Sequence, residues 1–344
     1  MIGPDRCASL RIAEFVLLSA SVWAAAPSPA QERKDSPYEI TAHRATLHLF
    51  PGQNAVACAD TLSIRLNGGR TDHISLRLLS VFEVEQVTVN DRNTRHKRDG
   101  DSLRLEGLPR DTLLRVLIRY SGILAFRSEL SRLTPDRAVL LEDEIFPHGN
   151  SALEYARLSI EVPHDWEAYG AGRMVRRESL NDSVIYTLET DRRVPLLGWI
   201  CAGIYRSMRS DSSGVPVSVH LFPEDSASGP AILSLAVDAI RFYGFRFSPY
   251  RFSNLEIVEV EDWVGGGNVL AVAIPNVVMI KRTTLHTDDR FNQARAVLPH
   301  EVAHQWWPMT VFVDDVDAAL LSEGMCDYSA LLFNESKGRL SIRD

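Results

Sequence analysis

After residue 37 the chain is patterned by short runs of alternating apolar and polar residues. Turn-forming pairs such as Pro51-Gly52 and Asp99-Gly100 separate the runs. Side chains two apart lie on one face of a strand, so the alternation predicts half-buried strands. The predicted strands are Ala45–Phe50, Ala57–Leu66, Asp72–Leu79, Glu83–Val89, Ser102–Leu108, Leu113–Tyr120, Tyr155–Val162, Val184–Thr190 and Trp199–Tyr205. So many short strands favour an antiparallel β-sandwich-like domain over residues 37–210.

After Ser213-Gly214 the pattern changes to a mixture of strands and helices. The predicted strands are Val215–Phe222, Leu255–Val260, Val269–Ala273 and Val277–Lys281, and the predicted helices are Pro230–Tyr243, Asp288 onward and Val316–Asn334. A proline inside a helix costs about 3 kcal/mol, so the second helix is expected to begin near Pro299 or to bend there. This mixture predicts an α/β domain over residues 211–344, and an α+β fold for the whole chain.

Composition supports a folded protein of about two domains. The 344 residues are 45% hydrophobic and 24% charged, which is ordinary globular usage. The formal net charge of -8 argues against nucleic acid as a partner. Composition does not indicate the oligomeric state.

The first thirty residues have the pattern of a secretory signal peptide. Arg6 and Arg11 precede the short apolar stretch Phe15–Ala26, and small residues follow, with cleavage expected after Ala26 or Ala30. No later segment reaches about eighteen apolar residues, so no further membrane span is predicted. We therefore expect an exported protein, periplasmic or extracellular.

One segment carries the pattern of a metal-dependent hydrolase. Residues 300–304 read His-Glu-x-x-His, which places His300 and His304 one turn apart on a helix face where both reach one metal ion. Glu301 is then the general base, and Glu323, eighteen residues beyond His304, is the expected third ligand. The pattern predicts one Zn2+ per chain. The alternative is a helix with two buried, hydrogen-bonded histidines, since such a motif arises by chance roughly once in a hundred chains.

Two further residues lie close to the predicted third ligand. Asp327, one turn after Glu323, is either a partner that orients a ligating histidine or a member of a surface salt bridge. Cys326 either faces the site or is a small buried residue. The mature chain keeps two other cysteines, Cys58 and Cys201, and whether they form a disulfide is left open.

Several segments resemble the gluzincin zinc aminopeptidases of the membrane alanyl aminopeptidase type. His304-Gln305-Trp306 continues the zinc motif as in that family, and Ser322-Glu323-Gly324 resembles the family's turn around its third ligand. Leu47-His-Leu-Phe-Pro-Gly resembles the opening of the family's N-terminal β-domain. The resemblance implies the front part of a thermolysin-like catalytic domain after the β-rich one, and hydrolysis of N-terminal residues from a peptide substrate.

The resemblance fails at the loop Val264–Asn268. The family carries Gly-x-Met-Glu-Asn there, and its Glu holds the substrate's α-amino group, whereas this chain has Gly at that position. The predicted substrate-binding residues are therefore Gly265, Gly266, Gly267 and Asn268. They offer backbone hydrogen bonds to a peptide but no carboxylate to an ammonium group, so recognition of the N-terminus is expected to be atypical. The acidic turn of Glu142, Asp143 and Glu144 is a possible substitute anchor.

The chain ends 21 residues after Glu323, before the family's transition-state tyrosine, so the sequence resembles a family member truncated at its C-terminus. This leaves a second hypothesis open, a non-catalytic relative that serves as a zinc-binding scaffold or binding module. The intact Glu301 argues against it, since degenerate sites tend to lose the general base. A third hypothesis, an exported β-sandwich adhesion module, predicts that no stoichiometric zinc is bound.

Overall fold

The structure is a computed structural model that describes residues 36–67, 71–124, 131–148, 153–262, 269–285, 291–311 and 318–339. The predicted signal peptide and the predicted substrate-binding residues Gly265, Gly266, Gly267 and Asn268 lie outside the described residues. Within the described ranges, no helix combines the length and the apolar character needed to cross a membrane.

Most strands and helices lie where the sequence pattern predicts them. The strands before residue 125 are β1 (Tyr38–Phe50), β2 (Ala55–Leu66), β3 (His73–Arg77), β4 (Phe82–Val89), β5 (Arg92–Asn93), β6 (His96–Asp99), β7 (Ser102–Glu106) and β8 (Leu113–Ile123). The strands between residues 131 and 210 are β9 (Arg132–Leu133), β10 (Arg137–Leu141), β11 (Tyr155–Pro163), β12 (Glu167–Tyr169), β13 (Arg173–Ser179), β14 (Ser183–Glu189), β15 (Trp199–Gly203) and β16 (Arg206–Ser210).

The later strands are β17 (Val217–Leu221), β18 (Leu255–Val260), β19 (Ala271–Ile274) and β20 (Val277–Lys281). The helices are α1 (Glu142–Ile145), α2 (Gly229–Arg246), α3 (Arg282–Leu285), α4 (Phe291–Ala303) and α5 (Ala318–Ser336). Short 3-10 turns lie at Pro51–Gln53 and Pro223–Ser228.

The largest sheet has the strand order β13-β14-β11-β1-β2-β8-β4-β5. Along β2 every second side chain is buried, because one face of the strand packs on the core. One pair departs from the antiparallel prediction, since β1 and β11 run parallel with Ala45 opposite Leu158. Alternation has the same period in parallel and antiparallel strands, so the sequence does not reveal this pairing. Smaller sheets of order β12-β15-β10-β9 and β3-β7-β6 share the same buried core.

The sequence did not predict β13, which lies at one edge of the largest sheet. None of its side chains is buried, so it lacks the alternation by which a strand is recognised. Polar edge strands of this kind protect a sheet from pairing with other chains. The pattern also misses β10, whose consecutive residues Ala138, Val139 and Leu140 are all buried and so do not alternate.

The C-terminal part of the chain, from Arg206 onward, contains a five-stranded sheet of order β16-β17-β18-β20-β19. The strands β17, β18 and β20 are parallel, and all side chains of β17 and β20 are buried, as expected where both faces of a sheet are covered. The strand β19 is antiparallel to β20 and lies at the edge. A second hydrophobic cluster joins this sheet to the helices, with Ile257, Ile280, Ile240, Leu298 and Trp306 among its buried members.

A helix start near Pro299 was one of the two expectations for this proline, and it is wrong. The helix α4 begins at Phe291 and passes through Pro299 to Ala303. The carbonyl of Pro299 accepts a hydrogen bond of 3.0 Å from the hydroxyl of the buried Tyr243 on α2. Tertiary contacts of this kind offset the cost of a proline inside a helix, and local propensity does not report them.

Candidate metal centre

The two histidines of the motif lie at the C-terminal end of α4. His300 is inside the helix, and the N–H of His304, just after its last residue, donates to the His300 carbonyl at 3.3 Å. Residues four apart project from one side of a helix, and the two ring centroids are 4.9 Å apart. Their exposed fractions are 7% and 8%, so both rings are buried.

Glu323 reaches both rings from α5. Its Oε2 lies 3.3 Å from His300 Nε2, and its Oε1 lies 3.5 Å from His304 Nε2. The ligand atoms that the three residues offer all lie within 4.8 Å of one another. A tetrahedral zinc with ligands about 2.0–2.1 Å away keeps those ligands about 3.3 Å apart, so the two separations between Glu323 and the histidines fit a zinc ion.

The second nitrogen of each ring is held by another group. His300 Nδ1 lies 2.8 Å from Asp327 Oδ1, so Asp327 contacts a histidine of the centre. His304 Nδ1 lies 2.8 Å from the carbonyl oxygen of Trp307, which accepts from an N–H. A proton on Nδ1 leaves the lone pair of Nε2 available to a metal. Sequence reasoning missed Trp307, since a main-chain contact leaves no side-chain pattern.

Cys326 also touches this site. Its Sγ lies 3.1 Å from His304 Nδ1 and donates to the Trp307 carbonyl at 3.2 Å, and the residue is fully buried. Cys326 therefore faces the site and is also a small buried residue, so both interpretations that the sequence left open apply. Cys58, Cys201 and Cys326 are all free thiols, so Cys58 and Cys201 are not bridged in this structure.

Close approach of these groups shifts their pKa values in opposite directions. Burial disfavours the charged His300, but hydrogen bonds to Asp327 and Glu323 outweigh it and raise the pKa of His300 to about 10. Burial also disfavours the charged Glu323, but hydrogen bonds from His300 and His304 outweigh it and lower the pKa of Glu323 to about 2. Each group thus stabilises the charge of its neighbour, which holds the ligand atoms together.

Glu301, between the two histidines in sequence, is 8% exposed. Burial raises the pKa of Glu301, and the neighbouring histidines lower it by less. A carboxyl group with a raised pKa is suited to accept a proton and to give it back. His300, His304 and Glu323 would hold a metal ion that would activate water for hydrolysis, and Glu301 would accept the proton of that water.

The acidic turn considered as a substitute substrate anchor forms α1. The Glu142 Oε2 atom accepts hydrogen bonds from the N–H groups of Leu197 and Gly198, at 2.8 and 2.7 Å. Burial raises the pKa of Glu142. The Glu142 carboxylate is therefore engaged by the main chain, and Asp143 and Glu144 are the remaining acidic side chains of the turn.

No protein-family model matches the chain. Among curated proteins it is 28% identical over 163 residues to an alanine/arginine aminopeptidase of Saccharomyces cerevisiae, covering 45% of this chain and 19% of that protein. It is 22% identical over 180 residues to a leucyl aminopeptidase of Saccharolobus solfataricus, covering 50% and 22%. It is 25% identical over 144 residues to human endoplasmic reticulum aminopeptidase 2, covering 40% and 15%. The chain thus spans about a fifth of the length of these relatives.

Solved structures show the same fold. The crystal structure of an M1 zinc metallopeptidase from Deinococcus radiodurans superimposes with a TM-score of 0.70 at 18% identity, covering 89% of this chain and 73% of that one. A variant of that metallopeptidase bound to a Tyr-Ser-Ala substrate gives a TM-score of 0.67, also at 18% identity. The predicted fold class is confirmed, and Zn2+ is the metal that these neighbours imply for the two-histidine, one-glutamate centre. The chain is thus similar in sequence, over part of its length, to curated aminopeptidases, and it shares the fold of an M1 zinc metallopeptidase.

Proposed function

We propose that this chain contributes the zinc centre of a metallopeptidase that hydrolyses peptide bonds, as an aminopeptidase-like enzyme with atypical recognition of the N-terminus. One observation carries the proposal. The Nε2 atoms of His300 and His304 converge on Glu323, while both Nδ1 atoms are held by other groups. Histidines that only pack in a core have no need to keep three ligand atoms at the spacing of a tetrahedral metal.

In this proposal His300, His304 and Glu323 hold one zinc ion per chain. When bound, the ion supplies a water of lowered pKa and polarises the scissile carbonyl. Glu301 accepts the proton of the attacking water on its carboxylate and then delivers it to the leaving amine. The surroundings of Glu301 favour this exchange, because its burial raises its pKa towards that of a group that can return a proton.

The substrate of the proposed enzyme is a peptide in extended form. An edge strand presents unpaired backbone groups to which a peptide can add as a further strand, and β19 lies at such an edge. We propose that Gly265, Gly266, Gly267 and Asn268, which precede β19 in sequence, contribute further backbone contacts. A loop of this composition provides no carboxylate for the α-ammonium group, which is the basis for expecting atypical N-terminus recognition.

We further propose that residues 1–30 are a signal peptide, that the protein is exported, and that two separate domains correspond to the predicted ranges 37–210 and 211–344, with the boundary moved to just before Arg206. The two arginines before an apolar stretch and the small residues after it support export. The change from sheets alone to a five-stranded sheet with helices supports two domains, and the first hydrophobic cluster includes Phe222 and Met279, so it extends across the contact between them. Pairing of β16 with β17 in one hairpin supports a boundary just before Arg206, slightly earlier than the sequence pattern suggests.

A peptide-library digest tests the proposed function. Purified protein loaded with zinc is incubated with matched peptides that have free or acetylated N-termini, with a chelator-treated sample as the control. We expect slow, chelator-sensitive cleavage that differs little between free and acetylated peptides. A strong requirement for the free amine would overturn the atypical recognition and point to Asp143 or Glu144 as its anchor. Zinc binding without cleavage of any peptide would instead support a binding module.

A further inference from the structure

A buried amide next to the metal centre contacts the edge hairpin of the five-stranded sheet. Gln305 directly follows His304 and is 1% exposed. Its Nε2 donates to the carbonyl of Ile274 at 2.9 Å, and its Oε1 accepts from the N–H of Asn276 at 3.0 Å. One side chain thus satisfies a donor and an acceptor of the segment that connects β19 to β20.

This connecting segment has a backbone shape that needs support. Asn276 has φ = 71°, in the left-handed region that a non-glycine residue adopts only at a cost of about 1–2 kcal/mol. Its side-chain amide donates to the carbonyl and the Oδ1 of Asn254, at 3.2 and 3.0 Å. The turn is therefore fixed by hydrogen bonds from two directions, and the one from Gln305 comes from the metal-binding segment.

Gln305 is itself fixed on the other side. Its N–H donates to the Val302 carbonyl at 3.1 Å, and its carbonyl accepts from the Thr310 hydroxyl at 2.8 Å. The side chain therefore has little freedom to follow a hairpin that moves. Among the described hydrogen bonds of His304 and Gln305, the two that the Gln305 side-chain amide makes with Ile274 and Asn276 connect the metal-binding segment directly to the hairpin of β19 and β20.

We propose that Gln305 is a positioning residue that sets the register between the edge strand β19 and the zinc ligands. The inference rests on the proposed function, in which β19 carries the extended peptide and α4 carries His300, Glu301 and His304. Peptide bonds along a bound strand repeat about every 3.3 Å, so a small slip of the hairpin misplaces the scissile carbonyl. Misplacement by about 1 Å costs about a hundredfold in rate.

Hydrogen exchange tests this register without relying on activity. Gln305→Met keeps the length of the side chain and removes its hydrogen bonds with Ile274 and Asn276, together with the 3.5 Å one from the Tyr250 hydroxyl, and Gln305→Asn keeps the amide but shortens its reach. Thr190→Val is the matched control, since the buried Thr190 hydroxyl accepts from the Ala156 N–H at 2.8 Å within the largest sheet. We expect the Asn276 amide to exchange about tenfold faster in both Gln305 variants, and at the wild-type rate in Thr190→Val.

Kinetics of the zinc-loaded protein supply the second test. We expect both Gln305 variants to retain zinc and to lose about ten- to a hundredfold in kcat per bound zinc, with KM changed less than about threefold. Unchanged exchange at Asn276, or a lower Tm with unchanged kcat per zinc, would overturn the inference. If the wild-type protein binds zinc but cleaves no peptide, the proposed function fails, and the exchange of Asn276 still decides whether Gln305 holds the hairpin.

Discussion

The side-chain amide of Asn334 donates to the main-chain carbonyl of Arg295 at 3.3 Å, across the contact between α5 and α4. In a regular helix that carbonyl accepts from the N–H four residues later, but Pro299 stands there and has none. Asn334 thus supplies the donor that the proline removes. The helix that provides Glu323 also stabilises the turn of α4 directly before His300.

The first prediction concerns this bond. We expect Asn334→Leu to lower the free energy of unfolding by about 0.5–1.5 kcal/mol, because it removes the side-chain hydrogen bond to the part-buried Arg295 carbonyl. Urea denaturation monitored by circular dichroism measures the change. Ser336→Ala is the control, since the Ser336 hydroxyl donates to the Phe333 carbonyl within α5 and reaches no other helix. Equal stability of the Asn334→Leu and Ser336→Ala variants would contradict the role given to Asn334.

The second prediction concerns Asp327, which lies 2.8 Å from His300 Nδ1. We expect Asp327→Ala to weaken zinc binding about 10- to 100-fold, because a partner at Nδ1 orients the ring and raises its basicity as a ligand. Competition with a chromogenic chelator gives the Kd. The control is Asp238→Ala, which removes a carboxylate that pairs with Lys337 at 2.6 Å instead of with a histidine. The same zinc affinity in wild type and Asp327→Ala would make Asp327 a salt-bridge residue only.

A third prediction separates the general base from the ligands. Glu301→Gln preserves the shape of the side chain and removes its ability to accept a proton, so zinc is expected to stay bound while peptide hydrolysis falls below detection. Zinc content and turnover are measured on the same sample. Loss of zinc from this variant would mean that Glu301 is a ligand. Turnover at the wild-type rate would mean that another group is the base.

The fourth prediction concerns a buried ion pair in the largest sheet. His43 Nδ1 lies 2.7 Å from Asp60 Oδ2, and the side chains are 2% and 0% exposed. Burial disfavours the charged ring, but the Asp60 carboxylate outweighs it and raises the pKa of His43 above 6.5. The pair therefore contributes its full stability below about pH 6.5, and this contribution is lost as the pH rises through the folded-state pKa.

The raised pKa of His43 makes the free energy of unfolding depend on pH in a direction that can be measured. We expect the stability difference between wild type and His43→Gln, taken from urea denaturation, to be larger at pH 6 than at pH 9. Thr190→Val provides the control, since it removes a buried hydroxyl and no titratable group, and its difference from wild type is expected to be the same at both pH values. A difference for His43→Gln that grows with pH would show that His43 is neutral in the folded protein.

The sequence predicted that His300, His304 and Glu323 converge, because a metal-binding pattern depends on local spacing. The four-residue step from His300 to His304 places both on one helix face, and the third ligand needs only a second helix nearby. Strands with an alternating pattern were also predicted, because alternation is a local property of the sequence. The parallel pairing of β1 with β11 was not predicted, because it depends on contacts between residues far apart in the chain.

The groups that support the ligands could not be read from the sequence. Asp327 and Cys326 carried two interpretations each, and only the packing of α5 on α4 shows that Asp327 contacts His300 and that Cys326 is both buried and next to His304. Pro299 was expected at a helix start or at a bend, because the sequence does not show that Asn334 and Tyr243 reach its turn. Local patterns give the residue types of a site, whereas tertiary hydrogen bonds determine how each side chain is held.

The most direct test of the whole account is the metal content of the purified protein. After incubation with zinc and removal of unbound metal, mass spectrometry of the wild-type protein should give about one zinc per chain, as expected for a centre with three protein ligands. Glu323→Ala and His304→Ala should each retain far less, while remaining folded by circular dichroism. Zinc in the wild type no higher than in Glu323→Ala would contradict the assignment of His300, His304 and Glu323 as the zinc site.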